Sequence, residues 1–131
     1  MKDGTLQELQ RRRQRQLLRL NEVLDLTTQL AQGIDRTDQI SVQMLISMRQ
    51  EPSMELQEME EGIRSYVLTL PEADAIRCHE LLQGGAPLLP SEEAFCAQNT
   101  QYRRILESVI SLDKRLSLKL GGRSSFYNSF R

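Results

Sequence analysis

The residue types best suited to chemistry meet in the short stretch Cys78-His79-Glu80, which holds the single histidine of the 131-residue sequence. A thiol, an imidazole and a carboxylate together could ligate a metal ion or form a nucleophile–base pair. Adjacent residues of a helix do not face each other, so these three side chains do not converge. One imidazole is also fewer than catalytic zinc sites commonly use. We therefore expect His79 to be a surface or half-buried side chain.

A second candidate is the carboxylate group of Glu58, Glu60 and Glu61. Di-iron helical bundles place a Glu-x-x-His motif on each of two helices, and this sequence has no such motif. The glycine pairs Gly84–Gly85 and Gly121–Gly122 match neither a phosphate-binding loop nor a nucleophile elbow, and we predict that both end helices. The sequence thus predicts a protein that is not an enzyme, with no catalytic residue, no cofactor, no metal and no small-molecule substrate.

Four arginines, Arg11, Arg12, Arg13 and Arg15, form a basic cluster that could contact nucleic acid or an acidic protein. On a helix they point in several directions, and no aromatic residue lies between them to stack on bases. Nucleic-acid binding through this cluster is therefore kept only as an alternative. The many charges also predict that this end of the first helix projects or frays.

Methionines recur along the second helical segment, at positions 44, 48, 54 and 59. Methionine fills gaps in cores and also lines adaptable protein-binding surfaces. Met59 lies on the apolar stripe and is predicted to be core, whereas Met44, Met48 and Met54 lie off that stripe. An exposed, pliable surface at these three residues is an alternative hypothesis.

The elements that position these residues are predicted to be helices. The first runs from about Thr5 to Gln32, with Gly33 as its C-terminal cap. Its apolar residues recur at steps of three and four and form one face, as a bundle interior requires. That face consists of Leu17, Leu20, Val23, Leu24, Leu26, Thr27, Leu30, Ala31 and Ile34.

The second helix is predicted to begin at a cap supplied by Asp35 or Asp38. Heptad spacing continues from Val42 to Leu70 and passes straight across Pro52. Proline inside a helix costs about 3 kcal/mol and bends it. The unbroken register nevertheless favours one kinked helix over two separate ones.

A short helix follows from Pro71 to Gly84–Gly85, and after a proline-containing loop Ser91 is predicted to cap the last helix. The stripe of that helix is Phe95, Tyr102, Ile105, Leu106, Val109, Ile110, Leu112 and Leu116, and Gly121 ends it. Short connections favour antiparallel neighbours. The predicted fold is all-α: an elongated antiparallel bundle of three long helices plus one short helix over residues 1–120, followed by an aromatic C-terminal tail, 121–131.

Charge and cysteine content narrow the class of protein further. The 17 basic and 18 acidic residues nearly cancel, but residues 1–20 and 101–131 are basic whereas 51–80 are acidic. Basic ends beside an acidic middle suit helices that attract one another in a bundle.

Cys78 and Cys96 are too few for a disulfide framework. With no apolar run near the ~20 residues of a membrane span and no signal peptide, a cytoplasmic location without membrane insertion is expected.

The tail, "GGRSSFYNSFR", carries three of the six aromatic residues of the sequence, Phe126, Tyr127 and Phe130. Large apolar side chains left in water are a liability. Two interpretations stay open: the tail packs on the bundle or is disordered, or its aromatic residues anchor a partner protein, as aromatic residues do at binding hot spots.

The layout of two long helices, a last helix reading "NTQYRRILESVISLDKRLSLKL", and a glycine-containing tail with a tyrosine resembles the bacterial flagellar export chaperones. The resemblance implies a cytoplasmic helical protein that recognises export clients through its C-terminal part and docks on the export gate through a tyrosine. It places Tyr127 in that docking role and Leu112, Leu116 and Leu120 on the client-facing helix. With Phe126 and Phe130, these are the predicted partner-binding residues.

The leading interpretation is a non-enzymatic protein-binding module, most specifically a flagellar export chaperone. One alternative is a coiled-coil subunit that self-associates through its long helices, which predicts an obligate oligomer. The other is the nucleic-acid-associated protein with Arg11–Arg15 as its contact, which predicts binding that weakens steeply with salt.

Overall fold

The structure is a computed structural model that describes Met1 and residues 3–120, except for the side chains of Asp3 and Leu120. Its α-helices are α1 (Asp3–Asp35), α2 (Gln39–Leu68), α3 (Glu72–Leu82) and α4 (Glu93–Leu120). One 3₁₀ turn, Pro90–Glu92, precedes α4. The described part of the chain contains no strand, so the predicted all-α class with three long helices and one short one is confirmed. The tail, 121–131, lies outside the described residues.

Contacts between α1 and α2 show that these two helices run in opposite directions. Near the start of α1, Arg13 pairs with Glu60 near the end of α2. Further along α1, Thr27 contacts Arg49 in the first half of α2. Opposite-charge pairs at this interface, including Arg19–Glu55, join the basic start of the chain to its acidic middle.

Helix α4 runs parallel to α1. At one end, the amide of Gln98 donates to the Gln10 carbonyl over 2.8 Å. At the other end, Lys119 approaches the Asp35 carboxylate to 3.3 Å. Helix α2 already ends where α1 begins. Helix α3 and the loop after it stay at that end of the bundle, so α4 starts beside the start of α1 and runs in the same direction.

Three apolar clusters follow one another along the bundle, as the predicted stripes require. The cluster at the α3 end joins all four helices, the middle one joins the long helices, and the third joins them where α1 ends and α2 begins. Their buried members are Leu9, Ile63, Cys78, Leu81 and Phe95 at the α3 end; Leu17, Leu20, Val23, Leu56, Tyr102 and Val109 in the middle; and Leu26, Leu30, Val42, Leu45 and Leu116 at the other end.

The prediction that the start of α1 projects or frays is wrong. The helix is continuous from Asp3, and both Leu9 and Arg13 are buried. Sequence reasoning counted the arginines as solvent-facing charges. Arg13 instead enters the interior because a carboxylate and two amides receive its hydrogen bonds there.

The connection between α1 and α2 differs from the prediction at one glycine. Gly33 lies inside α1, not at its cap, and a Cβ there would approach the Val42 side chain to 3.2 Å. Gly33 thus allows α2 to pack closely. The left-handed turn residue is Thr37, with φ 57°. Asp38 caps α2 by accepting a hydrogen bond from the Ser41 amide, which confirms one of the two predicted caps.

Pro52 lies within one continuous α2, as the unbroken heptad register predicted. Its side chain is buried in the face that packs on the bundle. The hydroxyl of Ser53 donates to the carbonyl of Arg49, one turn back. The apolar register therefore serves a single helix on both sides of the proline.

The return from α3 to α4 depends on Gly84 and Glu92. Gly84 has φ +98°, a conformation that favours glycine. The Glu92 carboxylate accepts hydrogen bonds from Arg77 over 2.7 Å and from the Leu88 amide over 2.9 Å. The predicted cap, Ser91, lies inside the 3₁₀ turn instead, so the expectation that it begins the last helix is wrong.

Candidate protein-binding surface

The three adjacent residues that could do chemistry point apart, as helical geometry predicts. His79 and Glu80 are exposed, whereas Cys78 is buried in the cluster at the α3 end. Burial also raises the pKa of the Cys78 and Cys96 thiols, which disfavours their nucleophilic thiolate forms. Within the part of the chain that the structure describes, no three His, Cys, Asp or Glu residues are arranged to hold a metal ion.

The basic cluster is divided by intramolecular contacts. Arg11 and Arg12 both pair with Glu8, one turn earlier on α1. The Arg12 guanidinium also lies 5.1 Å from the ring centre of Tyr66. Since Arg13 is buried, Arg11 and Arg15 are the exposed members of the cluster. The four arginines do not form one continuous basic surface.

Arg13 holds together three helices. Its Nε donates to Asn99 of α4 over 3.0 Å, and its Nη1 donates to Glu60 of α2 over 3.0 Å. The guanidinium stacks on the Tyr102 ring, 4.3 Å from its centre, and burial raises the pKa of Tyr102 to about 12. Asn99 in turn donates to the Leu81 carbonyl at the end of α3. These contacts give Arg13 a structural role.

A cleft of about 570 Å³ opens beside Arg13, where α3 ends between α2 and α4. Its walls carry both signs of charge, with Glu60 and Glu61 near Arg64 and Arg103. Arg103 also donates to the Leu82 carbonyl and so caps the end of α3. Because both signs of charge line this cleft, it favours neither an anionic nor a cationic ligand. One of its basic residues, Arg103, already has a structural role.

Two of the predicted partner-binding leucines pack inside the bundle. Leu116 is 3% exposed and belongs to the cluster with Leu26 and Leu30 of α1, and Leu112 packs against the same cluster. Their predicted place on the apolar stripe of the last helix is confirmed. Their role in partner binding stays a prediction, and in the folded bundle α1 already occupies the surface of Leu116. The side chain of Leu120 lies outside the described residues, as do Phe126, Tyr127 and Phe130.

The outward face of α2 carries a row of exposed apolar side chains that we call the methionine face: Ile40, Met44 and Met48. They are 84%, 56% and 51% exposed. Their spacing of four residues places them on successive turns of one side of the helix. Val42 and Leu45 lie on the opposite, buried side, so the row points away from the bundle.

The methionine face is followed along α2 by an acidic group and one further exposed apolar side chain. Glu51 is exposed one turn after Met48, and Met54 is 60% exposed beyond it. Leu118 of α4 is also 84% exposed, but two residues after the buried Leu116 it lies on the outward side of its own helix and is not part of this face. A row of flexible thioether side chains in water can adapt to an apolar partner surface.

The sequence contained the signal for two members of this face. Met44 and Met48 lie off the heptad stripe of α2, and that offset was the basis of the alternative hypothesis of an exposed surface. The structure confirms that they and Met54 are exposed. Ile40 is the member that the sequence analysis does not single out, because it precedes Val42, the first residue of the stripe; its spacing of four residues from Met44 is the signal that could have found it.

Comparisons with known proteins add no relative: no family model, no curated protein and no solved structure matches this chain. The resemblance to flagellar export chaperones therefore stays a prediction.

Among the described helices, none combines the length and the apolar character needed to cross a lipid bilayer.

Proposed function

We propose that this chain is a non-enzymatic helical module that binds another protein through the methionine face and the segment that follows α4. The observation that carries the proposal is the row of Ile40, Met44 and Met48, each more than half exposed on the side of α2 opposite the core. Burying such side chains against a partner removes apolar surface from water, which is the dominant favourable term in most protein associations.

The C-terminal contribution rests on the apolar residues at and beyond the end of α4. Leu118 is exposed there, and Phe126, Tyr127 and Phe130 follow within twelve residues. Aromatic residues dominate binding hot spots because they bury a large area at low cost in conformational entropy. Leu112 and Leu116 join the binding surface only if the end of α4 separates from α1.

The narrower form of the proposal is a cytoplasmic export chaperone of the bacterial flagellum, with an export client or an export-gate component as its partner. The support for this form is the resemblance of the last helix and tail to that family, together with an all-helical bundle of long helices. Tyr127 is the residue that the resemblance assigns to docking on the export gate.

The test is affinity purification of tagged full-length protein from its host, followed by binding measurements with each purified partner. The variant Met44→Ser/Met48→Ser removes two members of the methionine face. The matched control is Leu68→Ser, which changes a residue 83% exposed near the other end of α2. We expect the double variant, but not the control, to weaken binding at least tenfold.

A second variant, Phe126→Ala/Tyr127→Ala/Phe130→Ala, tests the C-terminal contribution in the same assay. A partner that is a secreted flagellar subunit or an export component supports the narrower form, and any other partner restricts the proposal to a protein-binding module. Equal affinity for all variants contradicts the proposed surface. An obligate oligomer at low concentration supports the coiled-coil alternative instead, and salt-sensitive binding to generic DNA or RNA supports the nucleic-acid alternative.

A further inference from the structure

The methionine face and the end of α4 lie at the same end of the bundle. Leu116, in the last turns of α4, shares a buried cluster with Val42 and Leu45, which lie on the inner side of the helix turns that carry the methionine face. Lys119 approaches Asp35, four residues before the start of α2, to 3.3 Å. The last described turns of α4 therefore lie at the end of the bundle where α2 begins.

The segment is long enough to reach the methionine face. An extended chain covers about 3.3–3.6 Å per residue, so Phe126 can lie up to roughly 20 Å from Leu120, and Phe130 up to roughly 35 Å. Helices α2 and α4 both pack closely on α1. Packed helices lie about 8–10 Å apart, so the axes of α2 and α4 are at most roughly 20 Å apart, and the face extends about 12 Å from Ile40 to Met48 along the helix axis. Passing from α4 to the outer side of α2 is within this reach.

The chemistry of the segment also matches the face. Thioether groups make favourable contacts with aromatic rings, and the segment supplies Phe126, Tyr127 and Phe130 to meet Met44 and Met48. Arg123 and Arg131 flank the aromatic residues, and the exposed carboxylate of Glu51 follows the face on α2. The aromatic residues of the segment thus match the methionines of the face, and its arginines match the carboxylate of Glu51.

We propose that residues 121–131 dock on the methionine face of the same molecule when no partner is bound. This inference rests on the proposed function, because it assigns an intramolecular occupant to the surface that a partner takes. A short connection gives the segment a millimolar effective concentration at the face. An intermolecular partner must therefore displace it, and both binding elements are released together.

The test is NMR of the unmodified full-length chain with methionine methyl groups labelled. The three aromatic residues of the described helices, Tyr66, Phe95 and Tyr102, lie in the other two clusters. A nuclear Overhauser effect between an aromatic proton and the methyl group of Met44 or Met48 therefore reports the segment itself. We expect such effects at both methionines and none from the segment at Met1 or Met59.

The full-length variant Phe126→Ala/Tyr127→Ala/Phe130→Ala provides the control. Aromatic rings shift nearby methyl resonances upfield, so the Met44 and Met48 signals should move downfield in this variant and stay unchanged in Ser124→Ala/Ser125→Ala/Ser129→Ala. The effects should be independent of protein concentration over a hundredfold range. Absent effects in the unmodified chain overturn the inference, and effects that grow with concentration assign the face to a second copy.

This experiment is independent of the partner. If the aromatic effects are absent while a partner still binds through the methionine face, the intramolecular docking is wrong and the proposed function stands. If the effects are present but substitutions in the face leave partner binding unchanged, the docking is supported and the proposed binding surface is wrong.

Discussion

Arg49 of α2 and Asp113 of α4 form an ion pair in the interior of the bundle, with 2.7 Å between Nη1 and Oδ1. The two residues are only 4% and 1% exposed. Arg49 also donates to the hydroxyl of Thr27, so the pair joins α1, α2 and α4 at one level. Buried charges fix which residues lie opposite one another, because any shift in register would leave them unpaired.

Removing one member of this pair should be far more damaging than replacing both. Asp113→Ala leaves the buried guanidinium without its carboxylate and should lower the free energy of unfolding by about 3–5 kcal/mol. The double variant Arg49→Met/Asp113→Leu fills similar volume without charge and should be close to the unmodified protein. Urea denaturation measures both, and a double variant as unstable as the single one contradicts the prediction.

The Arg13 contacts should depend on the shape of the guanidinium as well as on its charge. Arg13→Lys keeps the charge but loses the planar group that bonds Asn99 and Glu60 and stacks on Tyr102. We expect a loss of about 1–3 kcal/mol in urea denaturation. Arg15→Lys changes an exposed arginine and serves as the control, with little expected effect. Equal losses in the two variants would exclude a structural role specific to Arg13.

Stability should fall in acid partly through Glu92. The hydrogen bond from Arg77, aided by the Leu88 amide, lowers the pKa of Glu92 from 4.5 to about 2. A carboxyl whose pKa is lower in the folded protein stabilises the fold above its unfolded pKa and loses that effect as the pH falls toward its folded pKa. Its contribution is therefore complete above about pH 5 and is lost between about pH 4.5 and 2.

Glu92→Gln should accordingly be less stable than the unmodified protein at pH 6 and differ from it much less at pH 2.5. Urea denaturation at the two pH values measures this change. Glu93→Gln alters the exposed neighbouring carboxylate and controls for the loss of one charge. A stability difference for Glu92→Gln that is the same at both pH values would contradict the assigned role of the ionised carboxylate.

Replacing Thr37 with glycine should increase the stability of the fold. Its φ of 57° is unfavourable for a β-branched residue, by about 1–2 kcal/mol. Thr37→Gly relieves that strain, offset in part by the greater freedom of glycine in the unfolded chain, and should gain about 0.5–1 kcal/mol. Thr69→Gly is the control, because Thr69 has φ −81° and its hydroxyl bonds the Tyr66 carbonyl. The control should lose stability in the same thermal unfolding assay.

The helices could be predicted from the sequence because their apolar periodicity is long and regular. The stripe of α2 survives Pro52, and the stripe of α4 continues to Leu116, so element type and packing face followed from spacing alone. The cap at Asp38 also followed from residue type. Periodicity and cap residues are local properties, because they depend only on the sequence of the helix itself and not on how the helices pack.

The buried polar contacts could not be predicted in the same way. Arg13 and Asp113 are charged residues that a periodicity argument assigns to the surface, and they enter the interior only because partners on other helices receive them. The predicted cap at Gly33 is wrong for the same reason: the role of this glycine, the close approach of Val42, depends on where α2 packs. The methionine face was predicted in part, since Met44 and Met48 are off-stripe, but its position beside the end of α4 depends on the arrangement of three helices.

The parallel directions of α1 and α4 separate the two ends of the described chain. Met1 lies beside α3, where it approaches Asp74, whereas Lys119 lies beside Asp35 at the far end of a helix of 33 residues. At 1.5 Å per residue this is a separation of about 50 Å. A probe or a surface attached at Met1 is therefore about one bundle length away from the methionine face and the last turns of α4, at the opposite end of the described helices.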